Sequence, residues 1–200
     1  MPSPIQTQRP VERLLATAAR LFARHGINAT GIDRILVEAG VAKMTLYNNF
    51  GSKEGFVLAV LERTAAAWRN WFAAALDALP GGPEERVLGM FGVLGGWFAR
   101  DDFFGCPVMN AIAESDKDDV RLRRLAEAHE EALRSTIRDL VAGLDAEAAD
   151  RDGLASMLVL LVRGAIAQAT LARTADPARA AAEAARLLLS GVAPERRGAA

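Results

Sequence analysis

The chain has 200 residues, 51% of them hydrophobic and 24% charged, which is enough to bury a substantial core and too apolar for wholesale disorder. A net charge of -1 excludes a uniformly basic or acidic protein, yet residues 1 to 55 carry seven basic and four acidic groups against seventeen and twenty-one in the remainder. An asymmetry of that sign suits a nucleic-acid-binding head on a neutral-to-acidic body.

Alanine, leucine and arginine outweigh the β-branched residues, so an all-α fold is expected. The opening stretch MPSPIQTQR lacks a basic segment followed by an apolar one, so no export signal is read there. The apolar run LASMLVLLV stops at Arg163, short of membrane-spanning length, and a cytoplasmic protein is expected. The single cysteine, Cys106, excludes an intrachain disulfide and a multi-cysteine zinc cage, and neither a cofactor nor a metal site is expected.

A first helix opens after Pro10, with Leu14, Leu15, Ala18, Leu21 and Phe22 on one stripe, and Gly26 closes it as a left-handed cap. Thr30 and Asp33 are spaced as a capping box for a second helix that buries Ile32, Ile35, Leu36 and Ala39. Gly40 breaks the pattern, and Leu46 with Phe50 gives a short third helix a single apolar stripe. Two short helices joined by a glycine turn make a helix-turn-helix.

Ser52 caps a long fourth helix, whose stripe runs through Phe56, Val60, Thr64, Trp68, Trp71 and Leu79 to the PGGP stop at 80 to 83. A fifth helix carries Val87, Met90, Phe91, Leu94, Trp97 and Phe98, and Pro107 opens a short sixth. Ser115, Asp116, Asp118 and Asp119 place acceptors where a seventh helix begins, which then runs to about Val141. Two more helices follow. One bears Leu154, Met157, Leu158, Leu161, Val162, Ala165, Ile166 and Ala169, the last Ala181, Ala182, Ala185, Leu188, Leu189 and Val192.

At about 100° per residue, Leu46 and Phe50 face inward on the third helix while Met44 and Asn48 point away, flanked by Thr45 and Tyr47. Such a face, small, amidic and phenolic, is suited to the hydrogen-bonding edges in a DNA major groove. Lys53, beside the free amides of the fourth helix, forms a cationic site for a phosphate. A solvated face on a small helical subdomain is the competing reading of the same residues.

The stretch ATGIDRILVEAGVAKMTLYNNFGSKEGF resembles the N-terminal domain of the tetracycline-repressor-like (TetR/AcrR) family of transcriptional regulators over about residues 9 to 56. The resemblance implies a helix-turn-helix domain at residues 1–55 and a helical effector-binding and dimerisation domain at 56–200. It implies a ligand-responsive homodimer, released as a repressor from a palindromic operator by a small molecule. By motif position, Lys43, Met44 and Thr45 face bases or backbone, Tyr47 touches a phosphate or a thymine methyl, and Thr30, Asn49 and Lys53 hold phosphates, while Asn48 joins them as a DNA contact from its outward place on the helix. Two departures stand out: Ala42 occupies a position where a serine cap is common, and Asn49 replaces a frequent histidine.

The last two helices, apolar over wide stripes, are expected either to pair with a second copy or only to complete a monomer's core; the resemblance implies pairing in a four-helix bundle that sets two reading helices about 35 Å apart. An effector pocket is expected among Trp68, Phe91, Leu94, Phe98, Cys106, Met109, Asn110 and His129, with a plain hydrophobic core as the alternative and His129 either a core residue or a ligand contact. Cys106 precedes Pro107 at the positive end of a helix dipole, where a thiolate is favoured; it is either a reactive sensor of electrophiles or a small buried hydrophobe. The stretch GCPVMNA resembles a Gly-Cys-x-x-x-Asn sequence of some family members. An enzyme is not expected, because neither His25 nor His129 stands in a ligand or nucleophile-base pattern. A helical carrier whose helix-turn-helix does not touch DNA remains as a rival.

Overall fold

A computed structural model describes residues 9–116 and 118–192, so the reading of the N-terminal stretch falls, apart from Arg9, outside the described residues. Nine α-helices are present among them: α1 (Pro10–His25), α2 (Ile32–Ala39), α3 (Lys43–Phe50), α4 (Lys53–Asp77), α5 (Pro83–Phe98), α6 (Pro107–Glu114), α7 (Val120–Val141), α8 (Ala148–Ala172) and α9 (Asp176–Val192). The all-α expectation is met. Contacts divide the chain into two compact units, Met1–Trp68 with Cys106–His129, and Arg69–Gly105 with Glu130–Ala200, so α4 and α7 each contribute to both.

The first unit is built on the stripe of α1. Leu14, Ala18, Leu21 and Phe22 pack with Ile35, Leu36 and Ala39 of α2, Leu46 of α3, and Phe56 and Val60 of α4 in one apolar cluster. Fully burying side chains of this size contributes about 1.5–3 kcal/mol each, which is why three helices of 8 to 16 residues can hold together. A second cluster joins Leu61 of α4 to Ala111 of α6 and Leu122 of α7, with Ile27 packed against it.

The glycine turns do different work. Gly40 adopts the left-handed conformation at the end of α2, with φ 62° and ψ 44°, which turns the chain into α3 at no Cβ cost. Gly26 has positive φ but extended ψ, so the left-handed cap expected there is not formed, although its N–H still closes α1 on Phe22 O. The capping box is also absent. Gly31 is the N-cap of α2, while Thr30 is drawn inside and its hydroxyl donates to Gly26 O at 2.6 Å.

Ser52 caps α4 as expected, accepting from Gly55 N–H at 3.0 Å. The stripe of α4 does not keep one face. Phe56 and Val60 are buried on one side and Ala65, Phe72 and Leu76 about 160° further round, so Trp71 is exposed and the helix ends at Asp77, before Leu79. At the start of α7, Asp119 accepts from the N–H groups of Arg121 and Leu122 at 3.1 and 3.0 Å.

In the second unit α9 packs against both α5 and α8. Val87, Met90, Phe91, Leu94 and Phe98 of α5 are buried, as are Leu154, Leu158, Val162, Ala165, Ile166 and Ala169 of α8, and Ala181, Ala185 and Leu189 of α9. Met157, expected inside, is exposed, and the side chain of Val192 lies outside the described residues. Asp150–Ala172 of α8 reaches a mean hydropathy of 1.7, so by length and composition it could cross a membrane, contrary to the expectation that Arg163 interrupts the run. That arginine is taken up by a hydrogen-bonded ion pair with Glu130, and the buried side of α8 is core.

Candidate nucleic-acid interface

The outward side of α3 follows from its inward one. Leu46 is completely buried and Phe50 stacks at 5.1 Å on Phe56 of α4, so the helix is held by one edge and its other residues have nowhere to turn but out. Met44 is 68% exposed, Tyr47, Asn48 and Asn49 are exposed, and Thr45 is half-buried between the two sides. Asn49 folds its amide onto its own helix, donating one of its two amide hydrogens to Thr45 O at 2.7 Å.

Two lysines stand at the first positions of helices. Lys43 opens α3 and Lys53 opens α4, both exposed. A cation there opposes the helix macrodipole, so these positions do not serve helix stability; they add charge where free backbone N–H groups already favour an anion. Lys43 is also 3.5 Å from Asp33, an exposed pair of the kind that contributes about 0–1 kcal/mol. The Glu54 carboxyl is held below the ordinary carboxylate range by its backbone N–H at the start of α4 and then by the Ser52 hydroxyl.

Arg13 clamps the turn between α2 and α3, donating from Nε to Ala39 O at 3.1 Å and from a terminal nitrogen to Gly40 O at 3.2 Å. These carbonyls lie at a helix end and have no partner within the helix. The clamp joins residues 26 positions apart, a pairing that local periodicity does not reveal. Val37 was also missed: it is 83% exposed on α2 and lines a shallow groove with Gly40, Val41 and Lys43, and its place off the apolar stripe of α2 was the available signal.

Thr30 is the exception among the expected DNA contacts. It is 1% exposed with its hydroxyl committed to Gly26 O, so its side chain braces the loop rather than meeting a phosphate.

The eight residues expected to form an effector pocket divide between the two units. In the first, Trp68 meets His129 edge-on at 5.5 Å, and Cys106 Sγ lies 3.6 Å from His129 Nε2, with thiol and imidazole both buried. Cys106 is the N-cap of α6, as expected from Pro107. Asn110 is half-buried one turn on, whereas Met109 is 46% exposed on the outward side of α6 and does not line an interior space. Phe91, Leu94 and Phe98 belong to the core of the second unit, where Phe98 lies tilted against Phe103 at 5.0 Å and Trp97 meets it edge-on at 4.9 Å. A cleft within the first unit is lined by none of the eight; it lies between Ile27, Val57 and Leu61 on its apolar side and Lys53, Glu114 and Arg121 on its charged one. Among the described residues no cluster of His, Cys, Asp or Glu could hold a metal ion.

Three helices around one core, a left-handed glycine turn and a polar face on the last of them define a helix-turn-helix protein. Residues 14–60 match the model of the bacterial regulatory proteins of the tetR family, and residues 83–185 match the tetracyclin repressor-like C-terminal domain. The chain therefore belongs to the TetR family of transcriptional regulators. It is similar to the HTH-type transcriptional repressor NemR of Escherichia coli, with 35% identity over 80 residues, and this match spans 40% of each chain, less than two thirds of NemR. It is 30% identical over 135 residues to the HTH-type transcriptional regulator LmrA of Bacillus subtilis, covering 62% of this chain and 71% of LmrA. A TetR-family regulator from Streptomyces coelicolor superposes with a TM-score of 0.81 at 29% identity, over 92% of this chain and 95% of that one. The family and these relatives are regulators of transcription rather than enzymes.

Proposed function

We propose that the protein is a homodimeric, cytoplasmic repressor that reads a palindromic operator with α3 and leaves it when a small molecule binds. The observation that carries this reading is the exposed face of Met44, Tyr47 and Asn48 opposite the buried Leu46, with Lys43 and Lys53 at adjoining helix starts. In a major groove the amide of Asn48 and the hydroxyl of Thr45 would meet base edges, Met44 and Tyr47 would meet thymine methyls or phosphate, and the two lysines with the second amide hydrogen of Asn49 would lie along the backbone.

A ligand can release the operator only through its different affinity for the bound and released arrangements. The buried thiol-imidazole pair of Cys106 and His129 supports a role for an electrophile in that step. Sulfur would form a bond to the electrophilic carbon of an enone while the thiol proton passes through Nε2 of His129 to the enolate carbon. The relative NemR, whose reduced form shares this fold at a TM-score of 0.78 and 24% identity, supports the fold alone.

Selection of bound sequences from a random duplex pool tests the central claim: an inverted repeat is expected, bound with a steep negative log-log dependence on salt. A chain that enriches no sequence is a helical carrier or interaction protein instead. Cys106→Ser should leave operator binding unchanged and abolish release by an enone; release that persists in this variant removes the thiol from the mechanism.

A further inference from the structure

The loop between α1 and α2 is gripped by a side chain from far along the chain. Glu114 Oε2 accepts from the N–H groups of Ile27 and Asn28 at 2.8 and 3.0 Å, and the Asn28 amide donates back to Glu114 O at 2.8 Å. Gly26 makes the approach possible. A Cβ at that position would lie 2.8 Å from Glu114 Oε1, so a side chain there would push the carboxylate from its place over the loop. Beside these bonds, the side chain of Ile27 packs against the cluster of Leu61, Ala111 and Leu122.

Nothing in α6 itself calls for an acid at this place. Glu114 is the last residue of the helix, where the macrodipole disfavours a negative charge. The carboxylate is explained by the loop it holds. That loop is rigidly tied to the reading helix: Thr30 Oγ1 donates to Gly26 O, Arg13 bridges to the α2–α3 turn, and one apolar cluster unites α1, α2 and α3. Besides the packing of Ile27 on the cluster of Leu61, Ala111 and Leu122, two attachments of the three-helix head stand out. One is the packing of α1 to α3 on Phe56 and Val60 of α4, and the other is the clip from α6. A body held along one helix can still rock about it; a second attachment away from that axis removes the freedom.

We propose that Glu114 is a positioning residue for DNA recognition: its clip fixes the orientation of the head, and so restricts the separation of half-sites that the protein accepts. The proposal rests on the reading of the chain as a dimer on an inverted repeat. It assigns Glu114 no contact with DNA, so a single half-site should not sense the residue, whereas the tolerance for altered spacing should.

The experiment uses the full chain, the inverted repeat returned by selection, the same repeat lengthened by one and by two base pairs at its centre, and a duplex with one half-site. The native protein should bind the lengthened repeats much more weakly than the parent. In Glu114→Ala, affinity for the single half-site should stay near native, while the ratio of parent to lengthened-repeat affinity falls about tenfold, equivalent to ~1.4 kcal/mol. Glu114→Gln keeps an acceptor oxygen and should retain most of the discrimination. Asn28→Asp replaces the amide that donates to Glu114 O with a carboxylate facing that carbonyl, which repels the end of α6 while Glu114 stays in place, so it should relax spacing as the alanine variant does. Native spacing ratios in both Glu114→Ala and Asn28→Asp overturn the proposal, and if Glu114→Ala does not fold, Asn28→Asp decides alone. A native protein that enriches no inverted repeat overturns the underlying dimer reading instead, an outcome visible before any variant is made.

Discussion

Tyr47 shows how a single side chain can matter to binding without mattering to the fold. It is exposed on α3 while Leu46, one position away, is fully buried, so removing the phenol opens no cavity and leaves no buried polar group alone. Its loss should therefore appear only on DNA. Tyr47→Ala is expected to weaken binding to the selected operator by about 1–3 kcal/mol, the range of a good base contact, with thermal midpoint and dimer mass unchanged. Operator affinity equal to native, measured by titration at one salt concentration, would remove Tyr47 from the interface. The inward and outward sides of α3 were legible because eight residues with one apolar pair at spacing four leave little choice of face. Thr30 was misread for a physical reason: a threonine before a helix suits a cap and an interior brace equally, and the choice depends on the carbonyl of Gly26, which no local pattern places.

Among the elements, α3 shares with α1, α2, α6 and α8 the lack of a side-chain cap. Its N-cap is Ala42, in extended conformation and with no oxygen to offer, and Lys43 follows at the first position against the dipole. α4 shows the contrast, with Ser52 and Glu54 both serving its first turn. Ala42→Ser should accordingly raise stability by about 0.5–2 kcal/mol, read as a shift in denaturant midpoint at constant slope. An unchanged midpoint would mean that another group already satisfies these amides. Most element positions were readable from helical periodicity, and the failures concentrate where one helix serves more than one cluster. α4 was assigned a stripe that as far as Trp68 runs in steps of four residues, which drifts about 40° per step on a straight helix, whereas its buried residues change face between Val60 and Ala65. Periodicity reports one partner well; it cannot report a change of partner halfway along. The Glu114 clip escaped notice for a related reason, since it joins positions 87 apart.

At the scale of the molecule the unresolved demand is made by α8 and α9. Beyond the sides they bury, Leu160 is 72%, Leu171 81% and Leu187 74% exposed. Met157, Leu160 and Leu171 fall within about 60° on α8, with Gly164 among them, so they form a stripe and not scattered points. A shallow groove between the two helices runs past Leu160, Gly164, Pro177 and Ala180, where small residues allow backbones to approach closely. Such a surface is costly in water, and in the proposed dimer it would meet the same surface of a second copy, because a two-fold interface must be complementary to itself. Leu160→Glu combined with Leu171→Glu leaves every core residue of the second unit in place, so helix content should be preserved. In a two-fold interface each substitution appears twice, and a charge buried without a partner costs roughly 3–5 kcal/mol, enough to dissociate the dimer at micromolar concentration. Sedimentation should therefore show a folded monomer, and affinity for the inverted repeat should fall toward that for a single half-site, because two linked heads no longer act together. A double variant that still sediments as a dimer would place the pairing surface elsewhere on the chain and leave these leucines needing a different occupant.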